Sequence, residues 1–183
     1  DACVEEAAER FLLFRAMVIE HQLVFTADDA DVQLGLSLGV FHFDPMFDAT
    51  GRPVIAANPK NMDWEKVSLD QMKKAWFYCI MSVITTTPVS QTHGMIMTNS
   101  LGEVTSANMK PAFSKFLLSA VRKAMPVRIG AMFIANEPFM FGWVMWPMMK
   151  SALGDKMKKR VHVCGGDYEK PQQAVPKEAL LAA

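Results

Sequence analysis

His162, Cys164 and Asp167 stand within six residues of one another, and these are side-chain types that ligate zinc. On a strand His162 and Cys164 share a face, which begins a metal site but supplies too few ligands; two strand residues half-buried against a helix are the plainer reading. Gly165-Gly166-Asp167 could receive an anion on its backbone amides, although a Gly pair in this place more often only ends a strand. His93, between Thr92 and Gly94, is a candidate general base with no nucleophile or carboxylate set beside it by a local motif, and so reads first as a loop histidine at a strand entry. His21 and His42 have still less around them. Cys79 sits in an apolar run, where burial raises a thiol's pKa and lowers its reactivity. The chain holds no G-x-G-x-x-G, no Walker A loop and no G-x-S-x-G elbow. A non-enzymatic protein without cofactor or metal is expected, with a hydrolase or other enzyme built on His93 or His162 as the outlying alternative.

The informative chemistry is apolar. Residues 139–149 read FMFGWVMWPMM, a helix candidate with no charge on any face, whereas a helix covering a sheet needs only one apolar stripe. Its outer side must meet more protein, a bound apolar ligand, a membrane surface or a partner. Lys150, Lys156, Lys158, Lys159 and Arg160 follow against Asp155 alone, so a greasy helix adjoins a basic patch, as at an interface with anionic head groups. A purely solvated charge run is the alternative.

The elements that must position these residues alternate. A first helix is marked by Asp1, Glu5 and Glu6 and by Val4, Ala8, Phe11 and Leu12 at helical spacing toward Arg15. Residues 40–43 and 53–57 predict two strands about a turn-rich Asp44 to Gly51. Ser68 with Gln71 forms a capping box before an apolar helix over 75–84; a strand over 94–98, a helix from Pro111, a strand over 129–135, a helix over 139–153 and a strand over 160–164 follow. This spacing implies βαβ units and an α/β fold with a largely parallel sheet.

Bulk properties agree with one core. The 183 residues are 51% hydrophobic and 21% charged, with 15 Met, a flexible side chain suited to a cavity that adapts its shape. A net charge of +0 argues against nucleic acid as a partner, and three widely spaced cysteines do not form a disulfide framework, which points to a reducing, cytoplasmic setting. No signal peptide is expected from the acidic start, and a helix beginning at residue 1 suggests that sequence precedes it. Asn136, Glu137, Pro138 and Pro147 interrupt the longest weakly charged stretch, so no spanning helix is expected.

The stretch from Met125 to Pro176 resembles the C-terminal half of the CRAL-TRIO lipid-binding domain: a strand ending in Asn-x-Pro, the apolar helix, a Lys, and a basic turn before a strand ending in Gly occur in that family's order. Asn136-Glu137-Pro138 is most similar to the branch of the α-tocopherol transfer and cellular retinaldehyde-binding proteins. Asp48 to Asp63 is similar to the family's Asp-x-x-Gly-Arg-Pro-Val strand entry, and Thr98 to Gly102 falls where most members have Asp-x-x-Gly, with Asn99 in place of the Asp.

The resemblance implies a sheet floor, helical walls and a movable gate enclosing a hydrophobic pocket. It makes residues 26–183 the lipid-binding domain and residues 1–25 the end of an N-terminal helical bundle. The gate would span residues 139–152 and present Phe139, Phe141, Trp143, Val144, Trp146 and Met149, with Pro147 and a one-residue insertion before Lys150 as departures. An anionic head group would meet Arg128, Lys156 and Arg160, while a further basic position of that branch falls on Gly130. The lining, from periodicity as well as resemblance, is Phe77, Met81 and Ile84, then Phe113, Leu117 and Val121, with Met97 and Phe133 from the sheet; each has the pattern of ordinary core too. The implied function is to carry one lipid of the isoprenoid, retinoid, tocol or phospholipid class and transfer it at an anionic membrane surface. A phosphoinositide-docking module of a larger regulator is the alternative.

Overall fold

The computed structural model describes residues 2–24, 26–42, 46–138, 141, 146–147, 150, 153–165 and 175. Helix α1 (Ala2–Glu20) runs one turn past the stretch expected from the sequence and is followed by α2 (Ala30–Ser37), a short helix that the hydrophobic pattern did not announce. Its start is nonetheless local chemistry: the Asp29 carboxylate accepts the N–H of Asp31 at 2.9 Å and of Val32 at 3.4 Å.

Helix α3 (Leu69–Thr86) begins at the expected capping box. The Ser68 hydroxyl accepts the Gln71 N–H at 3.2 Å, and Gln71 Oε1 accepts the Ser68 N–H at 2.8 Å. Thr87 and Pro88 then open a short α4 (Pro88–His93), so His93 ends a helix rather than sitting in a loop. Helix α5 (Pro111–Ser119) starts on proline, whose missing N–H costs nothing at that position, and continues into a π turn (Ala120–Ala124) closed by Met125 N–H to the Ala120 carbonyl at 2.8 Å. A single turn, α6 (Asp155–Lys158), precedes the last strand.

Among the described residues five strands form one sheet whose spatial order follows the chain: β1 (Phe41–His42), β2 (Val54–Ala57), β3 (Met95–Ser100), β4 (Ile129–Ala135) and β5 (Val161–Gly165). β1 is antiparallel to β2, and the remaining pairs are parallel. Parallel neighbours need crossover connections, and right-handed crossovers that always step in one direction lay their helices on one face. That face carries the main core, where Met72, Trp76, Ile80 and Val83 of α3 meet Met95 and Met97 of β3, Ile129 of β4 and Phe113 and Phe116 of α5. The opposite face is a smaller cluster of Val54, Ile96 and Phe133 under Val175.

The β3–β4 ladder is irregular at its start. Met95 pairs with Ile129 but Ile96 pairs with Ala131, so Gly130 is an extra residue bulged out of β4.

Candidate functional site

Seven of the eight residues predicted to line a pocket are brought together on the helix-covered face. Phe77, Met97 and Phe113 are buried in the main core, and Met81, Ile84, Leu117 and Val121 pack partly buried against it. Phe133 is the exception and is withdrawn from the lining. Met97 registers with Met132 while Thr98 registers with Phe133, so Phe133 points to the other face, where its ring stacks on His162 at 5.2 Å. The physical reason is the two-residue period of a strand: one register step moves a side chain across the sheet.

Phe77 and Met81 also reach an open apolar groove of about 460 Å³ between α3 and α1, which Phe14, Val18 and Leu23 line from the other side. The face is rich in methionine: Met17, Met62, Met72, Met95, Met97 and Met125 are all buried there. Three rotatable bonds and a polarisable sulfur let such a surface fit more than one shape.

Of the predicted gate, Phe139, Trp143, Val144 and Met149 lie outside the described residues. Phe141 and Trp146 are described. Phe141 is 2% exposed and joins Ile134 and Val161, with Trp146, Leu153 and Met157 packed around them, in a cluster next to the main core. Met132 and Met157 belong to both clusters, so the apolar face is continuous from α3 to this segment.

The basic residues gather at the opposite end from the Asn-x-Pro turn. Arg160 donates through Nη1 to the Ile129 carbonyl at 2.9 Å, the exposed Arg128 gives its own carbonyl to Met95 N–H at 2.9 Å, and Lys156 is exposed on α6. The Arg160 side chain thus reaches the start of β4, which Arg128 immediately precedes in the chain. Arg52 is a cation that sequence reasoning passed over. A Cβ placed on Gly130 would lie 2.8 Å from Arg52 Nη1, so this guanidinium rests against the bulge where the resemblance had a lost basic position. The available signal was its place just before a strand, two residues ahead of β2, as Arg128 and Arg160 stand one residue ahead of β4 and β5.

At the far end the strands are tied off by their own side chains. Asn136, at φ +52, donates to the Ser100 hydroxyl at 3.0 Å, and the Glu137 carboxylate accepts the Gly165 N–H at 2.8 and 3.0 Å. The crevice beyond strand C-termini, where open α/β sheets commonly bind ligands, is therefore partly occupied by the protein itself.

The remaining candidates stay apart. His93 is exposed, with Nδ1 2.7 Å from the Thr92 hydroxyl. Cys79 is fully buried and its thiol is pushed up to about 12 by burial, which keeps it protonated and inert. Among the described residues no group of three or more His, Cys, Asp or Glu is arranged to hold a metal; Asp167 lies outside them. No helix among the described residues is long and apolar enough to cross a membrane.

A mostly parallel sheet wound in one direction, with a methionine-rich helical face continuous with an aromatic segment, defines a mixed α/β domain. A model of the CRAL/TRIO domain matches residues 39–183, and the chain belongs to that family. It is 21% identical over 174 residues to Clavesin-1 of Rattus norvegicus, Pongo abelii and Mus musculus, an alignment covering 93% of this chain and 49% of each relative. The chain thus spans about half the length of these relatives. Its fold is similar to a crystal structure of Sfh5, with a TM-score of 0.70 and 17% identity over 97% of this chain and 66% of that one.

Proposed function

We propose that residues 26–183 enclose one hydrophobic molecule of the isoprenoid, retinoid, tocol or phospholipid class and exchange it at an anionic membrane surface, working in the cytoplasm, with residues 1–25 as the end of a helical bundle. The observation that carries this reading is the continuity of the apolar face: Phe141 and Trp146 share Met132 and Met157 with the core of α3 and α5. A ligand entering between that segment and the core loses apolar area on both sides, and about 300 Å² at about 25 cal/mol per Å² supplies about 7 kcal/mol before the costs of association. No residue of the site needs to perform a reaction. The Asn136-Glu137-Pro138 turn supports a place near the tocopherol and retinaldehyde branch.

The test is mass spectrometry of lipids carried by the protein after incubation with mixed vesicles and re-isolation. One hydrophobic species near one equivalent is expected; protein recovered with no lipid overturns the carrier reading.

A second reading, a docking module for phosphoinositides, is favoured by the reach of Arg160 to the start of β4, beside the exposed Arg128. It expects vesicle binding that fades with salt and no extraction of lipid.

A further inference from the structure

The turn that leaves β4 ties three places together. Asn136, in the left-handed region at φ +52, donates through Nδ2 to Ser100 Oγ at the end of β3, at 3.0 Å, and its N–H reaches the Gly165 carbonyl at 3.0 Å. Glu137 accepts the Gly165 N–H on both carboxylate oxygens, at 2.8 and 3.0 Å. Pro138 gives its carbonyl to the Phe141 N–H at 2.7 Å, and Phe141 is buried against Ile134 of β4 and Val161 of β5. Three successive residues thus hold β3, β5 and the aromatic segment.

The β5 side of this knot is an irregularity in the ladder. Ile134 pairs with Val163 but Ala135 with Gly165, so Cys164 is an extra residue in β5. Gly165, at φ +60, follows the bulge and presents both of its polar backbone groups to the turn after β4. Among the described residues its N–H is the one hydrogen-bond partner of the Glu137 side chain, which pairs with no cation. A neutral amide oxygen would satisfy a single N–H, whereas an ionised acceptor makes the stronger bond. The stronger bond sits between the end of β5 and the residue that precedes Pro138. Lifting Phe141 off Ile134 and Val161 through its backbone strains that bond.

We propose that Glu137 is a positioning residue for lipid exchange: by holding Gly165 it fixes the seat of Phe141 on Ile134 and Val161, and the hold sets how fast a lipid passes between the aromatic segment and the core. The inference rests on the carrier reading given under the proposed function, whose entry route runs along that contact. Glu137 acts through Phe141 and is not required to touch the lipid.

Two readouts test it. Hydrogen–deuterium exchange, followed by NMR without added lipid, reports the Phe141 amide and the amides of β2 and β5. Transfer of pyrene-labelled phosphatidylcholine and of retinol from donor to acceptor vesicles reports lipid exchange. The parent is compared with Glu137→Ala, Glu137→Asp, Glu137→Gln and Glu103→Gln, whose parent carboxylate pairs with Lys60 at the surface. The Phe141 amide is expected to exchange about tenfold or more faster in Glu137→Ala and in Glu137→Asp, whose carboxylate is one methylene short, and less so in Glu137→Gln, which keeps one accepting oxygen. Lipid transfer should quicken in the same order, while β2 amides stay at the parent rate and Glu103→Gln matches the parent throughout. Faster exchange spread evenly over β2 and β5, with a lower melting temperature and unchanged transfer, would show a structural tie only and overturn the proposal. So would a Phe141 amide that responds while transfer does not, or one that does not respond in any Glu137 variant; the carrier reading survives both if the parent transfers lipid. If the parent transfers neither probe and also carries no lipid from mixed vesicles, the carrier reading falls and the exchange role with it. Should Glu137→Ala not fold, Glu137→Asp and Glu137→Gln decide.

Discussion

Asp48 Oδ2 lies 2.7 Å from both Nε and Nη2 of Arg52, a two-point ion pair folded inside the turn that enters β2. Its other oxygen, Oδ1, accepts the Thr50 N–H at 2.9 Å, the Thr50 hydroxyl at 2.8 Å and the Arg52 N–H at 2.8 Å. Burial alone would raise this carboxyl's pKa, but the hydrogen bonds from the Arg52 backbone, the Thr50 hydroxyl and the Arg52 guanidinium outweigh it, and the pKa falls below the ordinary value.

A depressed folded-state pKa contributes stability above the unfolded value of about 3.9 that is lost as the pH falls through the folded one. Asp48→Asn is therefore expected to lose about 2 kcal/mol at neutral pH, and less in strong acid where the parent has lost the same charge. Urea unfolding at the two pH values measures this. Equal stabilities at neutral pH would show that the pair contributes nothing.

Met97 and Phe133 provide a paired test of which face takes the ligand. Each truncation to alanine costs about 2–4 kcal/mol in a core, so both should lower the melting temperature. Only Met97→Ala should also change the amount or kind of lipid carried, because Phe133 faces the Val54, Ile96 and Val175 cluster instead. A changed lipid complement in Phe133→Ala alone would place the pocket on the wrong side of the sheet.

Gly94 joins α4 to β3 at φ +83, and a Cβ there would lie 2.1 Å from the Arg128 carbonyl oxygen. That oxygen accepts the Met95 N–H that starts the β3–β4 ladder. Gly94→Ala is expected to lose about 2 kcal/mol or more and to weaken vesicle binding with it, since Arg128 must move. Wild-type thermal stability in this variant would contradict the crowding.

Thiol labelling separates the cysteines. Cys3 is exposed and should react with a disulfide reagent at mildly alkaline pH within the mixing phase, whereas Cys79, with its pKa near 12, should react only after denaturant is added. Labelling of Cys79 in the native protein would mean that α3 opens locally.

Much of the fold is legible in the sequence because it is local. Ser68 and Gln71 announce α3, Pro111 announces α5, and the alternation of strands with helices announces a parallel sheet. Helix α4 has its signal in Thr87-Pro88, but its six residues are too short for a periodic pattern to register. Periodicity misplaces Phe133 because inter-strand register is set by tertiary pairing and by a bulge at Gly130 that it does not see. Arg52 escapes for a related reason: its guanidinium lies against Gly130, a residue 78 positions away in sequence, on the far side of β3.

The first strand has a consequence for how these molecules meet one another. Among the described residues β1 is two residues long, pairing Phe41 with Ala57 and His42 with Ala56, so these residues offer a neighbouring chain almost no ladder to extend. Sheet-to-sheet polymerisation through them would stall after a couple of hydrogen bonds. A protein that is half hydrophobic by composition thereby keeps one route to fibre growth closed by brevity rather than by charge.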